Sequence, residues 1–428
     1  GLIAALESSK TVIPAFIITE QATKKHEYHT RAGLQFMIES LRELEEQLKS
    51  KGGRLHYYEG KPHDIVKKLI EEETIDAVHV NHDYTPYSKE RDERIRAVCE
   101  EEDVAFEQHH DTLINAPGTV MKDDGEPYTI FTPYYRKANQ QDVPAPQAND
   151  RKNYLVINAT HECPLQHPGL ETLRGGRAAA KNILKNLERH QYYEDRRDLP
   201  AKEGTTKLSP HHKFGTISAR ETYHAIKEQL GIGHELARQL YWRDFFTQIA
   251  YHYPHVFQGN FNKKYDKVEW DEDEDKLKAW QEGRTGFPIV DAGMRQLNKT
   301  GWMHNRVRMI VASFLTKDLH LDWRAGEKYF ATRLVDYDPC VNNGSWQWAS
   351  STGCDAQPYF RIFNPWLQQQ KYDPQGEYIK RWVPELETMT AKELHALDEG
   401  KPPEGYPEPI VDHHEEKEET LKRFKVTR

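Results

Sequence analysis

The sequence predicts an α/β N-terminal domain with a parallel sheet, followed by an all-α C-terminal domain. Strand and helix signals alternate over residues 1–109, which is typical of a parallel sheet with helices on both faces. From residue 171 onward, apolar residues recur at helical spacing almost throughout. All nine tryptophans lie after residue 241, so the two regions also differ in composition.

The elements of the first region follow in order along the chain. Apolar runs rich in β-branched residues predict strands at 11–18, 54–58, 76–81 and 104–108. Helical spacing predicts the intervening helices at 34–48, 64–72 and 87–102. We expect one further strand, preceding Gly1, to be missing from this sequence. Ligands of parallel sheets bind beyond the carboxyl ends of the strands, which is where residues 81–84 lie.

The rest of the chain divides into three segments. Residues 110–170 are rich in Pro, Asp, Asn and Gln and have little periodicity, which predicts a long interdomain linker. Residues 171–398 are predicted to form the helical domain, with helices at 177–190, 218–229, 234–250 and 289–298. The acidic, Pro-rich residues 399–428 are predicted to form a loose surface tail.

Composition limits the class of protein. The chain has 428 residues, 37% of them hydrophobic and 30% charged, which suits a globular protein and excludes collagen and wholly disordered chains. No apolar run approaches the roughly 18 residues of a membrane span, and no signal peptide is visible. The net charge of −9 does not exclude nucleic acid, because a basic groove can lie on an acidic protein.

Cysteine and histidine spacing gives no sign of a metal centre. The four cysteines form no CxxC pair, which argues against a zinc site and a disulfide framework and favours a reducing cytoplasm. The histidine pairs at 211–212 and 413–414 lack a matching set of further ligands. We therefore expect no metal site, and we expect a cytoplasmic monomer with no membrane partner.

The common nucleotide-binding fingerprints, GxGxxG after a strand and GxxxxGK[ST], are absent. The loop at 204–210 (GTTKLSP) nevertheless offers hydroxyls, backbone N–H groups and one cation at the start of a helix. That chemistry suits a diphosphate, although the loop taken alone favours an ordinary helix cap.

Two further segments combine residues that suit a flat, charged heterocycle. Arg306 and Arg308 lie in GWMHNRVRM, and Asp336 and Asp338 lie in VDYDP. In isolation, a buried Arg–Asp pair is more often structural. The run 342–348 (NNGSWQW) brings two asparagine amides and two indoles together, which fits either core aromatics or the walls of a heterocycle site.

Three longer segments are much more specific than these motifs. They are WQEGRTGFPIVDAGMR at 280–295, TGWMHNRVRM at 300–309 and NNGSWQWASSTGCDAQPYFRIFNP at 342–365. They resemble the photolyase/cryptochrome family and, more narrowly, class I cyclobutane pyrimidine dimer photolyases, and the resemblance extends over essentially the whole chain. It implies an N-terminal antenna-type domain and a catalytic domain at 171–398 that binds FAD and DNA. The implied activity is light-driven repair of cyclobutane pyrimidine dimers in UV-damaged DNA by electron transfer from reduced FAD.

The resemblance also implies roles for individual residues. Asn342 matches the residue facing flavin N5, where a neutral amide can accept a hydrogen bond from reduced flavin without adding charge. The other cofactor-binding residues implied are Tyr193, Thr205, Thr206, Lys207, Leu208, Ser209, Trp302, Arg308, Asp336, Tyr337 and Asp338. The implied electron-transfer residues are Trp270, Trp323 and Trp346. The implied catalytic residues are Asn305, Asn342, Gln239 and Met303, and the implied DNA-binding residues are Arg197, Trp242, Arg243, Asn305, Trp348 and Gln368.

The chain departs from the family pattern in places. Gln239 stands where many members have a glutamate against the dimer bases. Residues 81–88 (NHDYTPYS) lack the carboxylate that folate-binding members use there. As a second, antenna chromophore, an 8-hydroxy-deazaflavin or a flavin is therefore favoured over folate. The strand expected before Gly1 contributes to the same antenna domain in the family.

Two other activities remain as alternatives. A (6-4) photoproduct photolyase usually needs a histidine acid, and Asn305 stands where that branch carries a second histidine. Gln239 points weakly the other way. A cryptochrome-type blue-light receptor without repair activity often replaces the asparagine at N5 and carries a long C-terminal extension. Asn342 and the short segment after Pro365 both favour repair.

Overall fold

The computed structural model describes residues 1–20 and 28–425, and the chain forms two compact units. The first unit comprises Gly1–Gly169, Arg174–Glu188 and Leu208–Pro254, and the second comprises Leu170–Leu173, Arg189–Lys207 and the chain from His255 onward. The boundaries predicted at 110, 171 and 399 separate segments of different function, and they remain predictions. The two compact units are divided differently, because the helices between 208 and 254 belong to the first unit.

The first unit contains two short parallel sheets. Strand β1 (Ala15–Ile18) pairs with β2 (His56–Glu59), and β3 (Ala77–Asn81) pairs with β4 (Ala105–His109). The predicted parallel α/β architecture is confirmed, but within the described ranges the strands form two sheets of two rather than one continuous sheet. Leu41 and Leu48, two helical turns apart, pack on Ile18 of β1 and Tyr57 of β2.

Nine helices of the first unit have described bounds. They are Leu2–Ser8, Arg31–Ser50, Pro62–Glu72, Pro86–Glu101, Phe131–Ala138, Arg177–Lys185, Ser209–Lys213, Ala219–Leu230 and Glu235–His252. Polar caps fix the first residue of several helices. In the capping box at Ser218, the Ser218 side chain accepts the Glu221 N–H, and the Glu221 carboxylate accepts the Ser218 N–H. The helix Phe131–Ala138 lies inside the segment expected to be a linker, so that segment is not wholly irregular.

The second unit is helical within its described part. Its helices are Tyr193–Arg196, Glu274–Glu282, Pro288–Thr300, Asn305–Lys317, Trp323–Arg333, Pro339–Ser350, Pro365–Tyr372, Glu377–Trp382, Ala391–His395 and His413–Lys425. Short 3-10 turns lie at Leu187–His190, Pro254–Phe257, Lys263–Lys267 and Pro384–Leu386. The core forms where Pro288–Thr300 and Asn305–Lys317 pack together, with Trp280, Phe287 and Phe314 fully buried against them.

The expectation of a loose tail is wrong for residues 406–425. Tyr406 is buried and donates a hydrogen bond to Asp291 at 2.6 Å. His413 Nδ1 lies 2.5 Å from Asp318, and Phe424 is 1% exposed. Tyr406, before the helix, and the buried face of helix His413–Lys425 outweigh the acidic composition of the segment.

In the described ranges, no helix combines the length and apolar character that a membrane crossing requires. The same ranges contain no cluster of three or more His, Cys, Asp or Glu side chains arranged to hold a metal ion. None of Cys99, Cys163, Cys340 and Cys354 forms a disulfide.

Candidate active site

Asn342 lies on the buried face of helix Pro339–Ser350. Its Nδ2 donates to the backbone carbonyl of Glu327 at 3.1 Å and to Glu327 Oε1 at 3.2 Å. Glu327 is 8% exposed, and this burial raises the pKa of its carboxyl to about 7. With both amide hydrogens directed at Glu327, Asn342 Oδ1 is the group left to accept a hydrogen bond, and no described residue donates to it.

The neighbouring amide has a structural role. Asn343 Nδ2 and Gln347 Nε2 both donate to the carbonyl of Val256, at 3.0 and 3.1 Å. Asn343 Oδ1 in turn accepts from Gln347 Nε2 at 3.0 Å. Of the two asparagines in the NNGSWQW run, Asn342 is therefore the one whose oxygen meets no donor among the described residues. Spacing alone could not distinguish them.

Arg308 and Asp336 form the ion pair that the sequence suggested. Arg308 Nη2 lies 2.9 Å from Asp336 Oδ2, and Arg308 Nε donates to the carbonyl of Met303 at 2.8 Å. Asp338 accepts the backbone N–H groups of Cys340 and Val341 and so caps the helix that carries Asn342. This geometry fixes a cation and a neutral amide on adjoining helices.

The loop predicted to bind a diphosphate is tightly folded. A Cβ on Gly204 would lie 2.5 Å from the carbonyl oxygen of Arg196, so only glycine fits there. Lys207 has a φ of +56°, a conformation that non-glycine residues seldom adopt and that often marks functional loops. Its Nζ lies 5.2 Å from the Trp302 ring and 3.3 Å from Glu203. Thr205 and Thr206 belong to the second unit with Lys207, whereas Leu208 and Ser209 belong to the first.

Tyr193 and Arg197 lie in the same stretch of the second unit. Tyr193 is buried, and the Arg197 guanidinium lies 5.8 Å from its ring. The next residue, Asp198, forms a two-point ion pair with Arg306, at 2.8 and 3.2 Å. Arg306, which the DNA-binding prediction omitted, therefore anchors the Arg197 segment to helix Asn305–Lys317.

The three tryptophans predicted to transfer electrons differ in burial. Trp346 and Trp323 are each 2% exposed, whereas Trp270 is half-buried. Trp346 fits closely because residue 326 is glycine: a Cβ there would lie 2.2 Å from the indole. Trp323 donates its Nε1–H to Asn260 at 2.9 Å. Burial that decreases from Trp346 to Trp270 suits a route from the interior to the surface.

Met303 does not line an open pocket, and its catalytic role stays a prediction. Its side chain is fully buried in the hydrophobic core beside Gly293. The methionine beside the exposed Asn305 is Met309, one helical turn later, whose sulfur lies 3.9 Å from Asn305 Nδ2. The i, i+4 spacing in NRVRM is the sequence signal that could have identified Met309.

His304 is buried and serves as a helix cap. Its Nδ1 accepts the Arg306 N–H at 3.2 Å, and it is 2% exposed. Burial and the nearby cations Arg308, Arg306 and Lys207 lower the pKa of its imidazole to about 4. Near neutral pH this histidine is uncharged, so it is a poor general acid.

Gln239, Trp242 and Arg243 lie on helix Glu235–His252 of the first unit. Gln239 and Trp242 are half-buried. The Arg243 guanidinium donates to the backbone carbonyls of Thr112 and His212. In the second unit, Trp348 is half-buried, and the buried Gln368 Oε1 meets no hydrogen-bond donor among the described residues.

A second cluster of flat rings lies just beyond the carboxyl ends of β3 and β4. The His82 ring is stacked on Tyr84 and on His110, with centroids 4.8 Å apart in both pairs. Tyr84 Oη lies 2.7 Å from His110 Nδ1. The neighbouring Asp83 is hydrogen-bonded by Ser88, and the charge of Lys213 helps to hold the pKa of Asp83 below its usual value against the effect of burial.

Comparison with known proteins identifies the family. Residues 1–149 match the DNA photolyase family model, and residues 236–426 match the FAD binding domain of DNA photolyase. A deoxyribodipyrimidine photo-lyase of Halobacterium salinarum is 38% identical over 92% of this chain and 88% of its own length. This chain belongs to the DNA photolyase family. A second photo-lyase, from Vibrio cholerae, is 36% identical over 100% of this chain and 96% of its own.

Solved photolyases share the fold. The photolyase of Sulfolobus tokodaii, whose crystal structure contains two FAD molecules, is 40% identical and covers 99% of this chain and 96% of its own, with a TM-score of 0.89. A class III photolyase of Agrobacterium tumefaciens is 34% identical, covers 100% and 94%, and has a TM-score of 0.92. A cryptochrome of Synechocystis, 24% identical over 98% and 95%, has a TM-score of 0.87 and shows likeness of fold alone.

The residues of this photolyase fit FAD. The fit depends on Asn342, a buried amide whose oxygen meets no donor within the described structure. Arg308 adds a fixed cation, and the Thr205–Lys207 loop adds hydroxyls and an ammonium group suited to a diphosphate.

Proposed function

We propose that this photolyase repairs cyclobutane pyrimidine dimers in UV-damaged DNA in a light-driven reaction. Relatives named deoxyribodipyrimidine photo-lyase match almost the full chain at 34–38% identity. The single structural observation that supports the proposal most is Asn342, whose amide hydrogens are directed at Glu327 while its oxygen is free to accept. When bound, reduced FAD supplies the electron that opens the dimer.

The protein's part is to hold and shield the reactants. Asn342 Oδ1 would accept a hydrogen bond from N5–H of a reduced flavin, and the Arg308 guanidinium would balance negative charge on the ring. Thr205, Thr206 and Lys207 would hold the diphosphate. Because no step of dimer splitting requires an acid from the protein, the exposed amide of Asn305 and the half-buried Met309 suffice as neutral contacts to the bases.

The structure gives a reason to favour cyclobutane dimers over the (6-4) photoproduct. The (6-4) reaction requires proton transfer to the substrate. His304, the histidine nearest in sequence to Asn305, caps the following helix and is buried and uncharged. Its Nδ1 accepts the Arg306 N–H, so the one proton of the neutral ring is on Nε2, which is buried from solvent.

The decisive experiment uses FAD-loaded protein reduced with dithionite. We expect near-ultraviolet light to restore thymines in an oligonucleotide carrying one cyclobutane dimer, measured by chromatography, and to leave a (6-4) oligonucleotide unchanged. The same mixture kept in the dark is the control. Repair of the (6-4) oligonucleotide would favour the first alternative, and no light-dependent repair of either would favour a receptor.

We propose that a second chromophore binds beyond β3 and β4, beside the stacked rings of His82 and His110. The flat rings and the nearby opposite charges of Asp83 and Lys213 suit a polar heterocycle such as a flavin or 8-hydroxy-deazaflavin. The Sulfolobus relative contains a second FAD, which supports this choice over folate. The test uses protein purified from cells grown in medium supplemented with both candidate chromophores. The protein is denatured and its pigments are separated. The proposal fails if one equivalent of FAD is the only pigment released.

The remaining proposals concern location and division of roles. Four cysteines without a disulfide support a reducing cytoplasm. We propose a monomer, with the antenna role in residues 1–109 and the catalytic role in residues 171–398. Light scattering of the FAD-loaded protein checks the oligomeric state.

A further inference from the structure

The helix Phe131–Ala138 interrupts a segment whose composition predicts an irregular linker. Phe131, Tyr134 and Ala138 recur at helical spacing and are almost fully buried. They pack on helix Glu235–His252, the helix that carries Gln239 and Trp242. The segment therefore supports the element on which two predicted substrate contacts lie.

The closest ring contact between these helices is between Phe131 and Trp242. Their ring centroids lie 3.5 Å apart and their planes differ by 8°, so the two rings are in face-to-face van der Waals contact. Phe131 is 1% exposed and has little freedom to turn. The plane of the indole is therefore set by the phenyl ring beneath it.

Other aromatic side chains complete the support of Trp242. Phe245 meets the indole edge-on at 5.8 Å, and Phe246 lies at 5.6 Å with planes 30° apart. Trp242 nevertheless remains partly exposed. An indole that is held rigidly and is still partly open can stack a flat ring at low entropic cost.

We propose that Phe131 is a positioning residue for the damaged bases: it fixes the Trp242 indole in the plane against which a pyrimidine of the dimer stacks. The inference rests on the proposed function, because it assumes that Trp242 meets the dimer. The proposal gives Phe131, a residue of the segment 110–170 that was predicted to be a linker, a role in substrate recognition. Stacking strength depends on the alignment of the planes, so a mobile indole would bind the dimer less well.

Phe131→Met tests the proposal. Methionine is apolar, similar in volume and adaptable, so the core stays filled while the flat support is lost. In the FAD-loaded protein, we expect affinity for a dimer-containing oligonucleotide to fall about five- to tenfold, the range for loss of one good stacking contact. Affinity for undamaged DNA, FAD content and flavin photoreduction should stay at wild-type values.

Two further variants separate positioning from general packing. Tyr134, also 1% exposed and on the same face of the helix, packs on Phe245 at 5.5 Å. Tyr134→Met therefore removes a comparable buried ring without removing the support of Trp242, and should keep the preference for damaged DNA. Phe131→Tyr retains a flat ring and should restore the preference that Phe131→Met loses.

The outcomes are distinct. Equal loss of damage preference in Phe131→Met and Tyr134→Met, or none in Phe131→Met, overturns the proposal. If Phe131→Met does not fold, Phe131→Leu is measured in its place. If neither variant folds while Phe131→Tyr behaves as wild type, Phe131 serves stability alone and the proposal is overturned. If wild-type protein repairs no dimer, the proposed function itself has failed, independently of Phe131.

Discussion

Asn342 Nδ2 donates to Glu327 at both its backbone carbonyl and its carboxyl, over 3.1 and 3.2 Å. The bond joins helix Pro339–Ser350 to helix Trp323–Arg333. Asn342 precedes Trp346 by one turn, and Glu327 follows Trp323 by one turn. A single amide thus fixes its own orientation and also connects the two helices that carry the buried electron-transfer tryptophans.

Replacing Glu327 should disturb Asn342 without emptying the flavin site. Glu327→Leu removes the carboxyl acceptor and leaves only the backbone carbonyl of residue 327 to hold the Asn342 amide, so we expect FAD to be retained and the repair quantum yield to fall about tenfold. Glu327→Gln keeps an oxygen acceptor and is the matched control. Equal yields in the Leu and Gln variants would remove Glu327 from any positioning role.

Glu327 should also make stability depend on pH. Burial raises the pKa of its carboxyl to about 7, so between the ordinary glutamate pKa and 7 the folded state holds a proton that the unfolded state releases. Stability therefore falls as pH rises through this window. Glu327→Gln should flatten that part of the curve, by at most about 3 kcal/mol. Denaturant unfolding at pH 4.5 and pH 7.5 measures the difference.

Trp346→Phe should slow photoreduction of oxidised flavin under blue light with a reductant present, because a phenyl ring is much harder to oxidise than an indole. If the flavin is first reduced with dithionite, repair should be nearly normal. Flavin absorbance during illumination gives the rate. A Trp346→Phe protein that photoreduces like wild type would place the route elsewhere.

DNA binding should weaken with salt despite the net charge of −9, since phosphate contacts release counterions. Arg197→Ala should lower affinity for damaged duplex and reduce the slope against salt by about one. Arg243→Ala should also lower affinity, and in addition should lower Tm, because its guanidinium bonds to the carbonyls of Thr112 and His212. Fluorescence anisotropy from low to high salt and a melting curve give both quantities. An affinity that does not change with salt would contradict a repair enzyme.

Gln239→Glu should preserve or raise the repair yield. An acid at this position can hydrogen-bond a reduced pyrimidine more strongly than an amide can. The measurement is the number of thymines restored per photon absorbed. A large loss of yield would show that Gln239 is not placed against the bases.

The C-terminal helix should contribute measurably to stability. Phe424→Ala removes a ring that is 1% exposed and is expected to cost about 3–5 kcal/mol. Lys422→Ala changes an exposed side chain on the same helix and should cost at most about 0.5 kcal/mol. Urea unfolding of both proteins compares them, and equal midpoints would mean that the helix does not pack as described.

Local sequence patterns predicted most of the elements correctly. The strands at 76–81 and 104–108 and the helix at 87–102 lie within two residues of their predicted bounds. Periodicity and capping residues act over a few positions, so a local pattern can reveal them. The helix Phe131–Ala138 was missed because its apolar spacing spans only two turns within a Pro-rich, polar stretch.

The candidate site could be predicted only in part. The residue types came from motifs, and the Arg308–Asp336 pair is present as the sequence suggested. The burial of Met303 was not predicted, because neighbouring residues of one motif can point in opposite directions, one into the core and one outward. The packing of Tyr406 and Phe424 could not be predicted from local sequence either, since their partners lie far away along the chain.

The sequence by itself determined the family, the α/β and helical regions and the kinds of side chain at the site, because these follow from local pattern and from motifs with specific spacing. Only the tertiary structure decided which of two adjacent asparagines keeps a free acceptor, which methionine lies beside Asn305, and that Phe131 supports Trp242. The physical reason is that hydrogen-bond partners and packing neighbours are set by residues distant in sequence. The Asn342–Glu327 bond spans 15 positions, and the Phe131–Trp242 contact joins two helices that no local pattern connects.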